Sequence, residues 1–213
     1  MNREPFATGE FYHVYNRGVD KRRVFMNRED SARFHESMSV FNTRDPVGSL
    51  YEYNFNLRLG RNKNKKERLV DIVCYCLNPN HYHFILRQGI DGGISEYMRR
   101  LGGGYTMYFN TKYRRSGSLF QGRYKSAPMS SNEQLLYTSA YVNLNDRVHK
   151  FGGSTSKSSW DEYAGGGAGF CDKKLILGQF KNAREYKDFA EDTLASILEK
   201  KQLSKELENT LLE

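Results

Sequence analysis

Hydrophobic and polar positions change period several times along this chain, and each change predicts an element. Glu10 to Arg17 (Glu-Phe-Tyr-His-Val-Tyr-Asn-Arg) is rich in aromatic and β-branched residues and closes at Gly18, which predicts a strand. From Asn27-Arg28-Glu29-Asp30 the spacing turns helical, with Phe34, Met38 and Phe41 on one face, until Asp45-Pro46-Val47-Gly48 stops it. Arg58 to Glu67 has no apolar period and predicts a mobile basic loop. Leu69 to Leu77 is an apolar strand, Asn78-Pro79-Asn80 has turn chemistry, and His81 to Arg87 predicts the return strand of a hairpin.

Beyond Gly92-Gly93, residues Tyr97, Met98, Leu101, Tyr105 and Tyr108 predict a helix over Ile94–Thr111. Gly102-Gly103-Gly104 lie inside it at a cost of about 1 kcal/mol each. A close approach to another backbone or to a ligand would account for them. Ser118 to Ser126 predicts a fourth strand. Ser130 with Glu133 reads as a capping box, opening a helix through Leu135, Leu136, Tyr141 and Leu144. The Gly/Ser-rich stretch from Gly152 to Gly169, around Trp160 and Tyr163, reads as a loop or linker, and the tail from Leu175 is helical and charged. The order β-α-β-β-α-β-α predicts an α+β fold, a ferredoxin-like antiparallel sheet with helices on one face, plus a helical C-terminal extension.

Charge adds a partner to this picture. The 213 residues carry a net charge of +8. Basic residues cluster at Arg17–Arg23, Arg58–Arg68, Arg99–Arg100, Lys112–Arg115 and Arg123–Lys125. Tyr105, Tyr108, Phe109, Tyr113, Phe120 and Tyr124 are interleaved with them. Cationic grooves with stacking rings are how single-stranded nucleic acid is held, although many of these rings must also build the core. Three cysteines, Cys74, Cys76 and Cys171, make no disulfide framework and point to a reducing, cytosolic setting. No apolar stretch approaches the roughly 20 residues of a membrane span, and the first residues have no apolar core of a secretory signal.

The chemistry centres on His81-Tyr82-His83. Alternate strand residues share a face, so the two imidazoles project side by side and make half of a metal site. Tyr141 and Asn145, four residues apart on the capped helix, share a face and offer a phenol nucleophile and a hard carbonyl oxygen. Spacing alone does not bring helix and strand together. The plainer reading is two strand histidines satisfied by hydrogen bonds, and Tyr137, one turn before Tyr141, is an equal candidate. Cys74-Tyr75-Cys76 beside His81-x-His83 invites a zinc reading but lacks zinc-finger spacing, which favours buried strand cysteines. Arg123 and Lys125 alternate with Tyr124 and face either DNA or the solvent at a charged sheet edge.

Four ordered segments carry a family resemblance. They are Tyr12-His13-Val14-Tyr15-Asn16-Arg17-Gly18, Asn80-His81-Tyr82-His83, the run Gly117 to Ser126, and Tyr141-Val142-Asn143-Leu144-Asn145. Together they resemble the REP-associated tyrosine transposases, single-tyrosine HUH endonucleases related to insertion-sequence transposases. The resemblance implies a transposase domain over residues 1–150, with residues 151–213 as linker and extension. It implies that His81, His83 and Asn145 bind a divalent metal, Mg²⁺ or Mn²⁺, and that Tyr141 is the catalytic nucleophile. The implied reaction cuts and rejoins single-stranded DNA beside a hairpin through a 5′-phosphotyrosine. Arg17, Arg22, Arg99, Arg100, Arg114, Arg115, Arg123 and Lys125 are the expected DNA contacts. The expected protein is cytoplasmic and nucleoid-associated, a monomer or homodimer with no membrane partner. Two departures stand out: Asp146-Arg147 follows Asn145 where the family commonly continues with proline, and Asn78 stands where methionine is common. A non-catalytic single-strand-binding module is the alternative that the same basic and aromatic residues allow.

Overall fold

Alternation along Phe11–Arg17 becomes strand β1, with its even-numbered residues buried and its odd-numbered ones half-buried. The computed structural model describes residues 5–61, 67–151 and 155–210. The predicted hairpin is present as β2 (Val70–Asn78) and β3 (His81–Gln88), with Asn78 opposite His81 across Pro79-Asn80. That turn is pinned from outside, because Pro79 O accepts from the backbone N–H of Val24 and Phe25, and Asn80 O from that of Gly18. A bulge between Ile72 and Cys74 turns Val73 and Cys74 into the same apolar cluster. With β4 (Lys125–Pro128) beside β1 and β5 (Lys157–Ser158) beside β2, the sheet is antiparallel in the order β4-β1-β3-β2-β5.

Strand periodicity sorts the two faces. Val14, Tyr82, Phe84 and Leu86 lie under α1 (Arg28–Val40) and α3 (Gly93–Lys112), packed on Phe34, Met38, Tyr97, Leu101 and Tyr105. This is the expected α+β sandwich. Gly104 accounts for one of the three helix glycines: a Cβ there would stand 3.1 Å from the Phe41 ring, whereas Gly102 and Gly103 look onto open space. Helix α2 (Leu50–Arg58) was not anticipated, although Ser49 and Glu52 form a complete capping box. Its last residue, Arg58, begins the stretch predicted as a mobile loop, of which residues 62–66 lie outside the described residues.

The opposite face carries the C-terminal third. Helices α4 (Asn132–Asn143) and α5 (Asn145–Val148) are followed by α6 (Trp160–Ala164), α7 (Lys174–Leu177) and α8 (Ala183–Thr210). Cys74, Cys76 and Ile85 of the sheet pack there with Ala140, Val142, Tyr163 and Tyr186. The stretch read as a linker therefore contributes an edge strand and a buried tyrosine. Ser159 accepts from Tyr75 N and donates to Asn143 Oδ1, tying this segment to both β2 and α4. Its residues 152–154 lie outside the described residues.

Three local expectations shift. The fourth strand begins only at Lys125, because Gly117 and Gly122 take positive φ and turn the preceding segment into a loop, so Arg123 is not in the strand. The helix cap is Ser131, which accepts from Gln134 N, rather than Ser130. The Tyr141 helix ends at Asn143, and Asn145 opens the separate turn α5 after Leu144 bends the backbone.

Candidate active site

Strand register builds the first half of the site. Tyr15 lies opposite His83 and Arg17 opposite His81, and directly opposed residues share a face. His13, two residues before Tyr15, joins them: its Nε2 is 2.8 Å from His83 Nδ1. The hydrophobic contact of α4 with the sheet brings in the second half. The Tyr141 ring meets His83 edge-on at a centroid distance of 5.5 Å and His13 at 6.1 Å. Asn145 Oδ1 lies 3.0 Å from His81 Nε2. His149, just after α5, stacks its ring edge-on against His81 at 4.9 Å. Four of the chain's five histidines thus meet at one end of the sheet.

Their surroundings keep them neutral. Burial lowers His13 and His149 to about 4. Burial, with the other imidazoles and Arg17 nearby, holds His83 well below the usual histidine range. His81 is lowered by burial, against the opposing effect of Asn145. Neutral imidazoles are the form that ligates cations. His81 has its tautomer fixed: Asn80 Oδ1, 2.6 Å from Nδ1, can only accept, so Nδ1 carries the proton and Nε2 a lone pair. The Asn80 amide is itself oriented by donating to Lys21 O. Burial raises the pKa of the Tyr141 phenol, so it is protonated at neutral pH.

Asn143 and Asn145 take separate roles. Asn143 donates to Tyr186 OH and accepts from Ser159, away from the histidines. Asn145 is fully buried and keeps its oxygen toward His81 while its Nδ2 has no hydrogen-bond partner. Tyr137, the rival of Tyr141, is exposed. Among the described residues no three His, Cys, Asp or Glu side chains are arranged to hold a metal ion, so a cation here depends on the Asn145 oxygen. That oxygen is well placed to ligate, because 3.0 Å is the spacing of adjacent ligands on an octahedral cation with bonds of about 2.1 Å.

The expected DNA contacts divide by face. Arg17, half-buried beside His81, and Lys125, opposite Tyr15, border the histidines. Arg99 and Arg123 line a groove of about 910 Å³ on the other face, floored by Asn16, Tyr82, Gly102 and Gly103. Arg22, held to Val19 O, and Arg115, held to Asn110 and Ser118 O, border a smaller hollow with Arg23 and Tyr113. Arg114 is exposed. Arg100 differs, because its guanidinium binds Glu96 and the carbonyls of Thr43, Arg44 and Asp45, bracing α3.

His13, Asn78, Asn80 and His149 were not among the predicted site residues. Period-two spacing puts His13 on a face with Tyr15 and Arg17, but says nothing of which strand that face meets. The family model described as "Transposase IS200 like" matches residues 57–145, a span that holds His81, His83, Tyr141 and Asn145. No curated protein matches the chain. Among solved structures, "Structure of the REP associates tyrosine transposase bound to a REP hairpin" is similar in fold. Its TM-score is 0.54 at 11% identity, over 78% of this chain and 85% of that one.

Proposed function

We propose, on the premise that the chain carries an IS200-like transposase segment over residues 57–145, that it is a metal-dependent single-strand DNA endonuclease and strand transferase. It cleaves beside REP-like hairpins and keeps the 5′ phosphate on Tyr141, leaving a free 3′-OH for rejoining. The observation that carries this reading is the convergence of His81 and His83 from β3, Tyr141 from α4 and Asn145 from α5 onto one corner, where the histidines and Asn145 are buried and Tyr141 partly so.

His81, His83 and Asn145 hold the cation in this reading. A bound Mg²⁺ or Mn²⁺ supplies charge neutralisation at the attacked phosphate. Asn80 leaves Nε2 of His81 as its ligating atom, and the reading assigns the same atom to His83, with its Nδ1 paired to His13 Nε2 at 2.8 Å. Tyr141 holds its proton until substrate is in place, since burial disfavours the free phenolate. It acts within its own chain, because its ring already touches that of His83. Arg17 and Lys125 grip the strand near the cut, and the groove with Arg99 and Arg123 takes the folded part of the DNA. Arg100 is assigned a structural role. Residues 1–150 form the catalytic unit, and residues 151–213 an extension that closes the back of α4.

Purified protein with Mn²⁺ and 3′-labelled hairpin DNA is expected to form an adduct that survives denaturation. Tyr141→Phe abolishes it and Tyr137→Phe preserves it. Salt-sensitive binding with no adduct in any metal would leave only a binding module.

A further inference from the structure

Asn78 ends β2 and is fully buried. Its Nδ2 lies 3.0 Å from His81 Nε2 and 2.7 Å from Asn145 Oδ1, and those two atoms are 3.0 Å apart. The three polar atoms form a nearly equilateral triangle. An amide's two N–H bonds splay too widely to point straight at both other corners, so the Asn78 donor serves one of them at the expense of the other. His81 Nε2 and Asn145 Oδ1 also face each other as two lone-pair donors, and Asn145 Nδ2 is left without a partner. A buried polar cluster in this state is incomplete.

Half a turn of the Asn78 amide about its Cβ–Cγ bond exchanges Nδ2 for Oδ1 and moves no other group. It gives up the Nδ2 contacts to Asn145 Oδ1 and His81 Nε2, which a cation shared by the three atoms would replace; on its other side Asn78 Oδ1 receives only a 3.7 Å contact from Cys76 Sγ. Sulfur, a weak acceptor as well as a weak donor, then faces Nδ2. The triangle now presents two amide oxygens and one imidazole nitrogen. Its edges match the spacing of neighbouring ligands on an octahedral cation with bonds of about 2.1 Å.

We propose that Asn78 is a ligand of the divalent cation in this site, its side-chain oxygen closing one octahedral face with His81 Nε2 and Asn145 Oδ1. The inference rests on the metal-dependent reading above and deepens it. Two hard oxygens beside the imidazole draw the site toward Mg²⁺ and Mn²⁺, which histidines alone would not.

The test is Mn²⁺ titration of the full chain without DNA, following free Mn²⁺ by electron paramagnetic resonance. Asn78→Leu removes the oxygen and is expected to weaken binding by about tenfold or more. Asn78→Asp places an anionic oxygen at the same corner and is expected to tighten binding by about tenfold. Affinities within about twofold of wild type for both variants, or an aspartate that weakens binding, would overturn the assignment. Should circular dichroism show the leucine chain unfolded, the aspartate decides by the same criterion. A wild-type chain that takes up no Mn²⁺ overturns the metal reading itself. A wild type that binds, with variants unchanged, overturns Asn78 alone.

Discussion

In each of the two strand imidazoles Nδ1 is occupied by a neighbour, which keeps that nitrogen from a cation. Asn80 occupies His81 Nδ1 and His13 occupies His83 Nδ1. His13 is therefore a positioning residue in the proposed reaction. His13→Leu is expected to cut Mn²⁺ affinity and the rate of adduct formation by about 10–100-fold, with His13→Gln restoring part of both. An unchanged Mn²⁺ affinity in the leucine variant would remove this role. Strand period placed His81 and His83 on one face, but Tyr141 was chosen over Tyr137 only through the family resemblance, and Asn145 lies in α5 rather than on the Tyr141 helix. The orienting partners of these residues were not legible, because cross-strand register and turn hydrogen bonds join residues far apart in sequence. Asn78 was passed over for the same reason: nothing in its turn shows that a helix brings Asn145 to within 2.7 Å of it.

Elements were legible wherever an apolar period or an unbroken apolar run set the burial. Helices α1 and α3 have one strongly apolar face, and the β2–β3 hairpin reads instead as two short, near-continuous apolar runs about a turn, because both its faces are covered. Helix α2 was hidden because Tyr51, Phe55, Leu57 and Leu59 stay exposed, so its apolar spacing buries little. The fourth strand was overextended because alternation alone does not reveal the positive φ of Gly122. The tether between α1 and α3 carries a quantitative expectation. Asp30, wholly buried, accepts from Met26 N, Tyr113 OH, Tyr108 OH and Lys112 Nζ. Asp30→Ala removes the acceptor of three other donors and one of the two carboxylates on Lys112, Glu29 remaining, and is expected to cost about 3 kcal/mol in urea unfolding. A loss below about 1 kcal/mol would mean the helices are held by apolar packing alone.

The whole molecule is a sheet covered on both faces, with the histidines at the end where β1, β3 and α4 meet, and among the described residues no helix is long and apolar enough to cross a membrane. Its pH response follows from burial. His13, His35 and His149 are lowered to about 4, so the unfolded chain takes up more protons than the folded one below the ordinary histidine value. Stability is complete above about pH 6.5 and is lost as pH falls toward 4. Asp30 extends the loss in the same direction: burial raises its pKa, but hydrogen bonds from Lys112, Tyr113, Met26 and Tyr108 outweigh that and keep it below the usual value. Melting temperatures are expected to be flat from pH 8 to about 6.5 and to fall below it; a flat profile down to pH 4 would contradict neutral buried imidazoles. The central claim is that Tyr141 takes the DNA phosphate. Its most direct test is peptide fragmentation of the covalent adduct formed with Mn²⁺ and hairpin-bearing single-stranded DNA. The account predicts a nucleotide on Tyr141; a nucleotide on Tyr137, or the absence of any adduct, would contradict it.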